Sequence, residues 1–456
     1  MKKLEGRAFL CLTLAMMLVT GLGIFIYKLS CDGAAWASFY ANQHIYESGK
    51  LVSGSVHDRN NLRLMENTEE GIWYVEDAEL RRAVCHVTGD KGYNITTGAN
   101  QAFRSQMAGY NIVNGTNGAL FGDSGKVVLT IDAELNRTAY RALAGREGFV
   151  GVYNWRTGDI VCMVSTPAVD PAADYDSSAV KSGSYLNKVL SAKYTPGSTF
   201  KLVTAAAAIE QIEGLDKWSF TCDGTHDIGG EEIICPMVHG KVDFTSALAK
   251  SCNGAFASLA VEMGGEVMSE YVEKLGLVSK YDIDGIKTAA GSFTFDTYDI
   301  NLGWAGIGQF EDQVNPLSMM VYMGAVAGEG SAAQPRLIMD EGGFADLLTK
   351  LGIGDGGNDG SGINLLSAGT ARQLKEMMRN NVLQTYGDAN YPGLELHAKS
   401  GTAEAAGQAP NSWFCGFSGD YAFVVCVEKG GYGSAVAGPV ANTVLQAVHK
   451  KLDTAE

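Results

Sequence analysis

Ser198 and Lys201 stand three residues apart in Tyr194-Thr195-Pro196-Gly197-Ser198-Thr199-Phe200-Lys201. Proline and glycine stop the preceding segment. The following Leu202-Val203-Thr204-Ala205-Ala206-Ala207-Ala208 favours helix, which puts Ser198 at or just before a helix N-terminus. A spacing of three places both side chains on one face of that first turn. A serine hydroxyl becomes a nucleophile when a base takes its proton. Lysine is such a base when burial and the positive end of a helix dipole bring its pKa towards neutrality. Without that burial the same pair is an N-cap serine beside a surface lysine. Two later segments supply company. Ser251 and Asn253 occur in Lys250-Ser251-Cys252-Asn253, 53 residues after Ser198. Lys399, Ser400, Gly401 and Thr402 begin 148 residues after Ser251. Ser251 and Asn253 are two apart, so they project from a turn rather than share a helix face, and turns favour these residue types on their own account. A serine there can shuttle a proton. Gly401 on an edge strand leaves space for a close approach to the backbone.

S-x-x-K, S-x-N and K-[ST]-G in this order, with domain-sized gaps, form the motif set of serine enzymes acylated by penicillin-like substrates. The chain resembles the class B penicillin-binding proteins, membrane-anchored D,D-transpeptidases that cross-link peptidoglycan. Gly306-Ile307-Gly308-Gln309 with Val314-Asn315-Pro316-Leu317 is similar to the family's G-x-G-Q…P-L segment. Trp413-Phe414-Cys415-Gly416-Phe417 is similar to its W-F-x-G-[FY] strand, and Val128-Leu129-Thr130-Ile131-Asp132 to the opening of its catalytic domain. The resemblance implies Ser198 as nucleophile, Lys201 as base, Ser251 as proton shuttle and Asn253 as a hydrogen-bonding partner of Lys201 and of the substrate amide. It further implies that Lys399, Ser400 and Thr402 bind the terminal carboxylate of a D-Ala-D-Ala stem peptide. The backbone N–H groups of Ser198 and Thr402 would form an oxyanion hole. β-Lactams would acylate Ser198. No metal or organic cofactor is expected. A multi-pass glycan polymerase is the implied partner. The same residues also suit a D,D-carboxypeptidase or a serine β-lactamase, and a non-catalytic division scaffold or β-lactam sensor is the alternative of another class.

The elements that must position these groups fall into four stretches: a cytoplasmic tail over 1–7, a transmembrane anchor over 8–28, a pedestal over 29–125 and a transpeptidase domain over 126–456. Ala8 to Tyr27 are twenty consecutive uncharged positions, the length of one bilayer-spanning helix. Lys2, Lys3 and Arg7 precede them, which keeps the N-terminus inside and puts the catalytic domain outside the cell membrane. A cleaved signal peptide would have a shorter apolar run. Ser53-Gly54-Ser55-Val56-His57-Asp58-Arg59-Asn60-Asn61 is similar to the family's R-G-x-I-x-D-R-N-G pedestal motif, departing at Ser53 and Asn61. Strands are predicted over 149–154, 160–165, 413–417 and 420–427, with helices over 246–259, 313–326 and 368–380. Strands at both ends with helices between them make an α+β domain with an antiparallel sheet. The family adds that the sheet is five-stranded and flanked by helices.

The net charge of −16 argues against nucleic acid as a partner. With 57 glycines in 456 residues, many tight turns are expected; the Gly/Asp-rich stretch 352–362 reads as a surface loop. There are nine cysteines. Cys222 and Cys235 flank a predicted hairpin turning at Gly229-Gly230, and are a candidate disulfide or two buried thiols. No C-x-x-C pair or His/Cys run has metal-ligand spacing, so no structural zinc is expected.

Overall fold

A computed structural model describes residues 2–37, 39, 46–47, 50–109, 125–175, 180–295, 298–339, 362–405 and 407–453. The stretch 352–361 of the expected Gly/Asp-rich loop lies outside them. The chain opens with helix α1 (Lys2–Ala37). Within it Gly6–Leu29 is the one described helix long and apolar enough to cross a membrane, with a mean hydropathy of 2.4 and no burial against the rest of the chain.

A mixed four-stranded sheet follows: β1 (Ser55–His57), β2 (Arg63–Thr68) and β3 (Gly71–Tyr74), then helix α2 (Ala78–Thr88), then β4 (Lys126–Val128). The order is β3-β2-β1-β4, with β4 parallel to β1. The segment expected to open the second domain thus straddles two layers. Val128 still belongs to this first sheet, whereas Asp132 caps helix α3 (Ala133–Leu143) by accepting from the N–H groups of Glu134 and Leu135.

The central sheet combines β5 (Gly148–Asn154) and β6 (Ile160–Thr166) with three strands from the far end of the chain. Between them run helix α4 (Lys201–Gln211), two small hairpin layers built from β7 (Ser219–Cys222), β8 (Thr225–Ile228), β9 (Glu231–Ile234) and β10 (Gly240–Asp243), and helices α5 (Phe244–Ala249), α6 (Asn253–Lys274), α7 (Pro316–Ala327) and α8 (Ala368–Asn381). The chain then returns as β11 (His397–Ala405), β12 (Gln408–Ser418), β13 (Tyr421–Val427) and helix α9 (Gly433–Leu452). The sheet order is β11-β12-β13-β5-β6, antiparallel throughout. This is the expected five-stranded α+β arrangement.

Alternation along each strand splits the core in two. Val150, Val152, Val161, Phe423 and Val425 pack with Leu135, Val444 and Leu445 of α3 and α9. Phe149, Tyr153, Met163 and Val424 face Met320 and Met323 of α7. Every residue of α7 is buried, as its lack of a polar face requires. The expected single helix over 246–259 is instead two, α5 and α6, parted by Lys250, Ser251 and Cys252. The break is a C-terminal cap. The Ser251 N–H donates to the Leu248 carbonyl at 3.0 Å, and the Cys252 N–H to Ala247 at 2.9 Å, with Ser251 at φ 54. This is the Schellman pattern, occupied by serine where glycine is usual.

Candidate active site

Pro196 and a single 3₁₀ turn, Gly197–Thr199, deliver Ser198, and Lys201 is the first residue of α4. The Lys201 ammonium is the hub of the site. It donates to Ser198 Oγ at 3.0 Å, to Ser251 Oγ at 3.1 Å, to the Ser251 carbonyl at 2.7 Å and to Asn253 Oδ1 at 2.7 Å. Ser251 Oγ also accepts from Lys399 Nζ at 3.1 Å. One serine hydroxyl therefore bridges two lysines. Asn253 is held by its amide nitrogen, which donates to the Ile234 carbonyl at 2.8 Å. The cap at Ser251 explains how two groups only two residues apart both reach Lys201: the left-handed residue turns the chain between the end of α5 and the start of α6.

Both lysines are fully buried, and none of the hydrogen bonds just described goes to a carboxylate. Burial disfavours a charged amine. It lowers the Lys201 pKa to about 7. Burial, helped by the nearby Lys201 charge, pushes Lys399 well below the ordinary lysine range.

Lys399, Ser400, Gly401 and Thr402 lie on β11, which is an edge strand. The structure gives a further reason for glycine at 401. A Cβ there would stand 2.7 Å from the Pro196 carbonyl oxygen and 3.0 Å from Thr199 Cγ2. The missing side chain lets β11 press against the turn that carries Ser198. Gly308 does the same from the other side: at φ +78, its Cβ would meet the Gly197 carbonyl oxygen at 2.1 Å. The Gly197 N–H donates to the Gly308 carbonyl at 2.8 Å, and Gln309 Nε2 to the Thr402 carbonyl at 3.3 Å. The segment 306–309 is thus a brace between the serine turn and β11.

Sequence reasoning missed Tyr386. Its hydroxyl accepts the Ser400 N–H at 2.8 Å and donates to Ser400 Oγ at 3.1 Å. Burial pushes its pKa up to about 12, so it stays a donor. A lone tyrosine after a helix carries no motif that would single it out. Of the two alternatives for Cys222 and Cys235, the structure has the pair of buried free thiols. They meet His239 and Cys252 in one buried cluster. A cleft of about 900 Å³ lies elsewhere, on β2 and β3 beside Arg63, Glu66 and Trp73, and none of the residues above lines it. The convergent polar groups, rather than concavity, mark the site.

Residues 148–446 match the family profile described as penicillin binding protein transpeptidase domain. A peptidoglycan D,D-transpeptidase PbpA of Mycobacterium tuberculosis is 24% identical, over 94% of this chain and 88% of its own length. The stage V sporulation protein D of Bacillus subtilis is 27% identical over 60% of this chain and 44% of its own length. Among solved structures, a ceftriaxone acyl-enzyme complex of M. tuberculosis penicillin-binding protein A superposes with a TM-score of 0.73. It is 21% identical and covers 87% of this chain and 98% of its own. Pseudomonas aeruginosa PBP2 gives a TM-score of 0.71 at 22% identity, covering 87% and 96%.

Proposed function

The chain belongs to the penicillin-binding protein transpeptidase family, and from that premise we propose that it is a membrane-anchored peptidoglycan D,D-transpeptidase working through an acyl-enzyme on Ser198. The observation that carries this reading is the Lys201 ammonium, buried and bonded at once to Ser198, Ser251 and Asn253. Ser198 Oγ attacks the carbonyl of the penultimate D-alanine of a stem peptide, and neutral Lys201 takes its proton. Ser251, bonded to both lysines, passes a proton to the departing amine of the terminal D-alanine. An amine from a second stem peptide then attacks the ester. Its proton returns along the same groups, Ser198 is freed and the cross-link is made. A β-lactam enters at the first step and stays as the ester.

Lys399, Ser400 and Thr402 receive the terminal carboxylate. Asn253 orients the substrate amide, and the N–H groups of Ser198 and Thr402 hold the developing oxyanion. α1 anchors the chain with its basic N-terminus in the cytoplasm, which puts the serine outside. The first sheet serves as a pedestal and, with the anchor, meets a glycan polymerase.

Fluorescent penicillin, followed over time on wild type and Ser198→Ala, tests the reading. The expected result is a stable label that the substitution abolishes. Rapid loss of the label with accumulation of hydrolysed drug would make the protein a β-lactamase. No labelling of folded wild type would leave the scaffold.

A further inference from the structure

The fold gathers a second set of reactive side chains that the acyl transfer does not use. Cys222 ends β7, Cys235 follows β9, His239 precedes β10 and Cys252 immediately precedes α6. One donor atom from each lies within 4.8 Å of all the others. All four residues are buried, Cys252 completely and His239 to 8% exposure. We propose that these side chains form a closed Cys₃His site for one Zn²⁺ ion.

The geometry is that of a tetrahedral site. Zn–S bonds of about 2.3 Å and Zn–N bonds of about 2.0–2.1 Å at tetrahedral angles imply S···S edges of ~3.8 Å and S···N edges of ~3.5 Å. Cys235 Sγ lies 3.8 Å from Cys252 Sγ, and Cys222 Sγ lies 3.4 Å from His239 Nδ1. A disulfide would need one sulfur pair at about 2.0 Å and would leave the other two donors without a partner. Three thiols and an imidazole are soft donors, suited to zinc and unsuited to magnesium or calcium. Four protein donors fill the coordination sphere, as in structural zinc sites.

Backbone donors point at one of the sulfurs. The backbone N–H groups of Asn253 and Gly254 donate to Cys235 Sγ at 3.1 and 3.4 Å. They belong to the first turn of α6, so the helix dipole adds to the bonds. Twelve, three and twelve residues separate successive ligands. Only the pairing of β7 with β10, and of β8 with β9, brings them together.

Cys252 lies between Ser251 and Asn253. An ion there ties the hairpin layers to the turn that presents both groups to Lys201, and holds Ser251 in its left-handed conformation at φ 54. The four ligands are in this sense positioning residues for the serine site.

The test uses the full chain in detergent, dialysed free of loose metal. Mass-spectrometric metal analysis should give one zinc per chain in wild type and in Cys426→Ala, whose thiol lies in the central sheet. It should give none in Cys222→Ser or His239→Ala. Replacement by Co²⁺ in wild type should give a thiolate-to-metal charge-transfer band and the strong visible bands of a tetrahedral site, which needs no folded variant. Folded wild type that holds well under one zinc and gives no cobalt–thiolate spectrum overturns the site. So does peptide mapping that finds Cys222 and Cys235 in a disulfide. These readouts do not depend on the serine chemistry, so the two readings fail separately. For the positioning role, chelation should lower the penicillin acylation rate by about 10-fold or more while the circular dichroism of the fold persists, and added Zn²⁺ should restore it. An unchanged rate in folded, zinc-free protein overturns that role.

Discussion

Lys201 and Lys399 are buried amines that share one serine hydroxyl, and their protonation decides what the site can do. A protonated Lys201 can donate to Ser198 but cannot take its proton. Burial sets its pKa at about 7, so the neutral form grows as pH rises through that value. The acylation rate constant for a penicillin should therefore climb with pH across neutrality and level off above it. A rate that is flat over that range would remove Lys201 as the base. Lys201→Arg keeps a charge that cannot be given up, and should lose ~10²–10⁴ in acylation rate, as expected for removing a general base. Tyr386→Phe is a subtler change. It leaves the Ser400 N–H without its partner in a partly buried place, at a cost of about 1 kcal/mol. Thermal unfolding should register that loss. The substrate-side effect should appear as weaker drug affinity rather than as a slower acylation step, since the hydroxyl touches Ser400 and not Ser198.

Elements meet at the site without side chains between them. β11, the Ser198 turn and the brace at 306–309 approach so closely that glycine is the residue that fits at 308 and 401. Gly401→Ala places a methyl 2.7 Å from a backbone oxygen, so one of the two elements must shift. Overpacking of this kind costs ~1–3 kcal/mol. Because the contact sets where β11 stands against the turn that carries Ser198, acylation should fall far more than the melting temperature does. Equal losses in both would mean that the contact serves folding alone. The sequence made part of this arrangement legible. Ser198 and Lys201 could be paired because their relation is local, one helical turn. Strands β5, β6 and β13 showed themselves by apolar runs between turn residues. The turn at Ser251 and Asn253 was legible from their spacing, but its left-handed cap was not, because a serine stands where glycine would have signalled it. The cysteine cluster was hidden because its ligands come from separate hairpins and a helix start. The Gly401 contact was hidden for the same reason: its neighbour, Pro196, is 205 residues away in sequence.

At the scale of the whole molecule, the two sheets are joined by a compact polar lock built from the motif Asp58-Arg59-Asn60-Asn61. Asp58 accepts from the N–H groups of Asn60 at 2.9 Å and Leu62 at 2.8 Å, and its other oxygen accepts from the Ala133 N–H at 3.2 Å. Asn60 donates to Asp132 Oδ2 at 2.8 Å, and Lys451 at the end of α9 donates to Asp132 Oδ1 at 2.6 Å. Arg59 pairs with Asp159 at 3.6 Å. The first sheet, the start of α3 and the last helix thus converge on the buried carboxylate of Asp132. The departure at Asn61 from the family's glycine has a physical reason: it stands at φ 65, where asparagine is tolerated better than other side chains. Asn61→Val should then destabilise the protein by ~1–2 kcal/mol, and Asn61→Gly should not. Asp58→Ala should do more than either. It strips acceptors from three backbone donors and loosens Asn60, so the first sheet should come free of α3 while the central sheet keeps its own core. Limited proteolysis should cut the variant ahead of residue 126 and leave a resistant fragment that still binds penicillin. If the variant instead unfolds in one transition with no protected fragment, the two sheets are one cooperative unit, and the separate pedestal is a feature of shape rather than of stability.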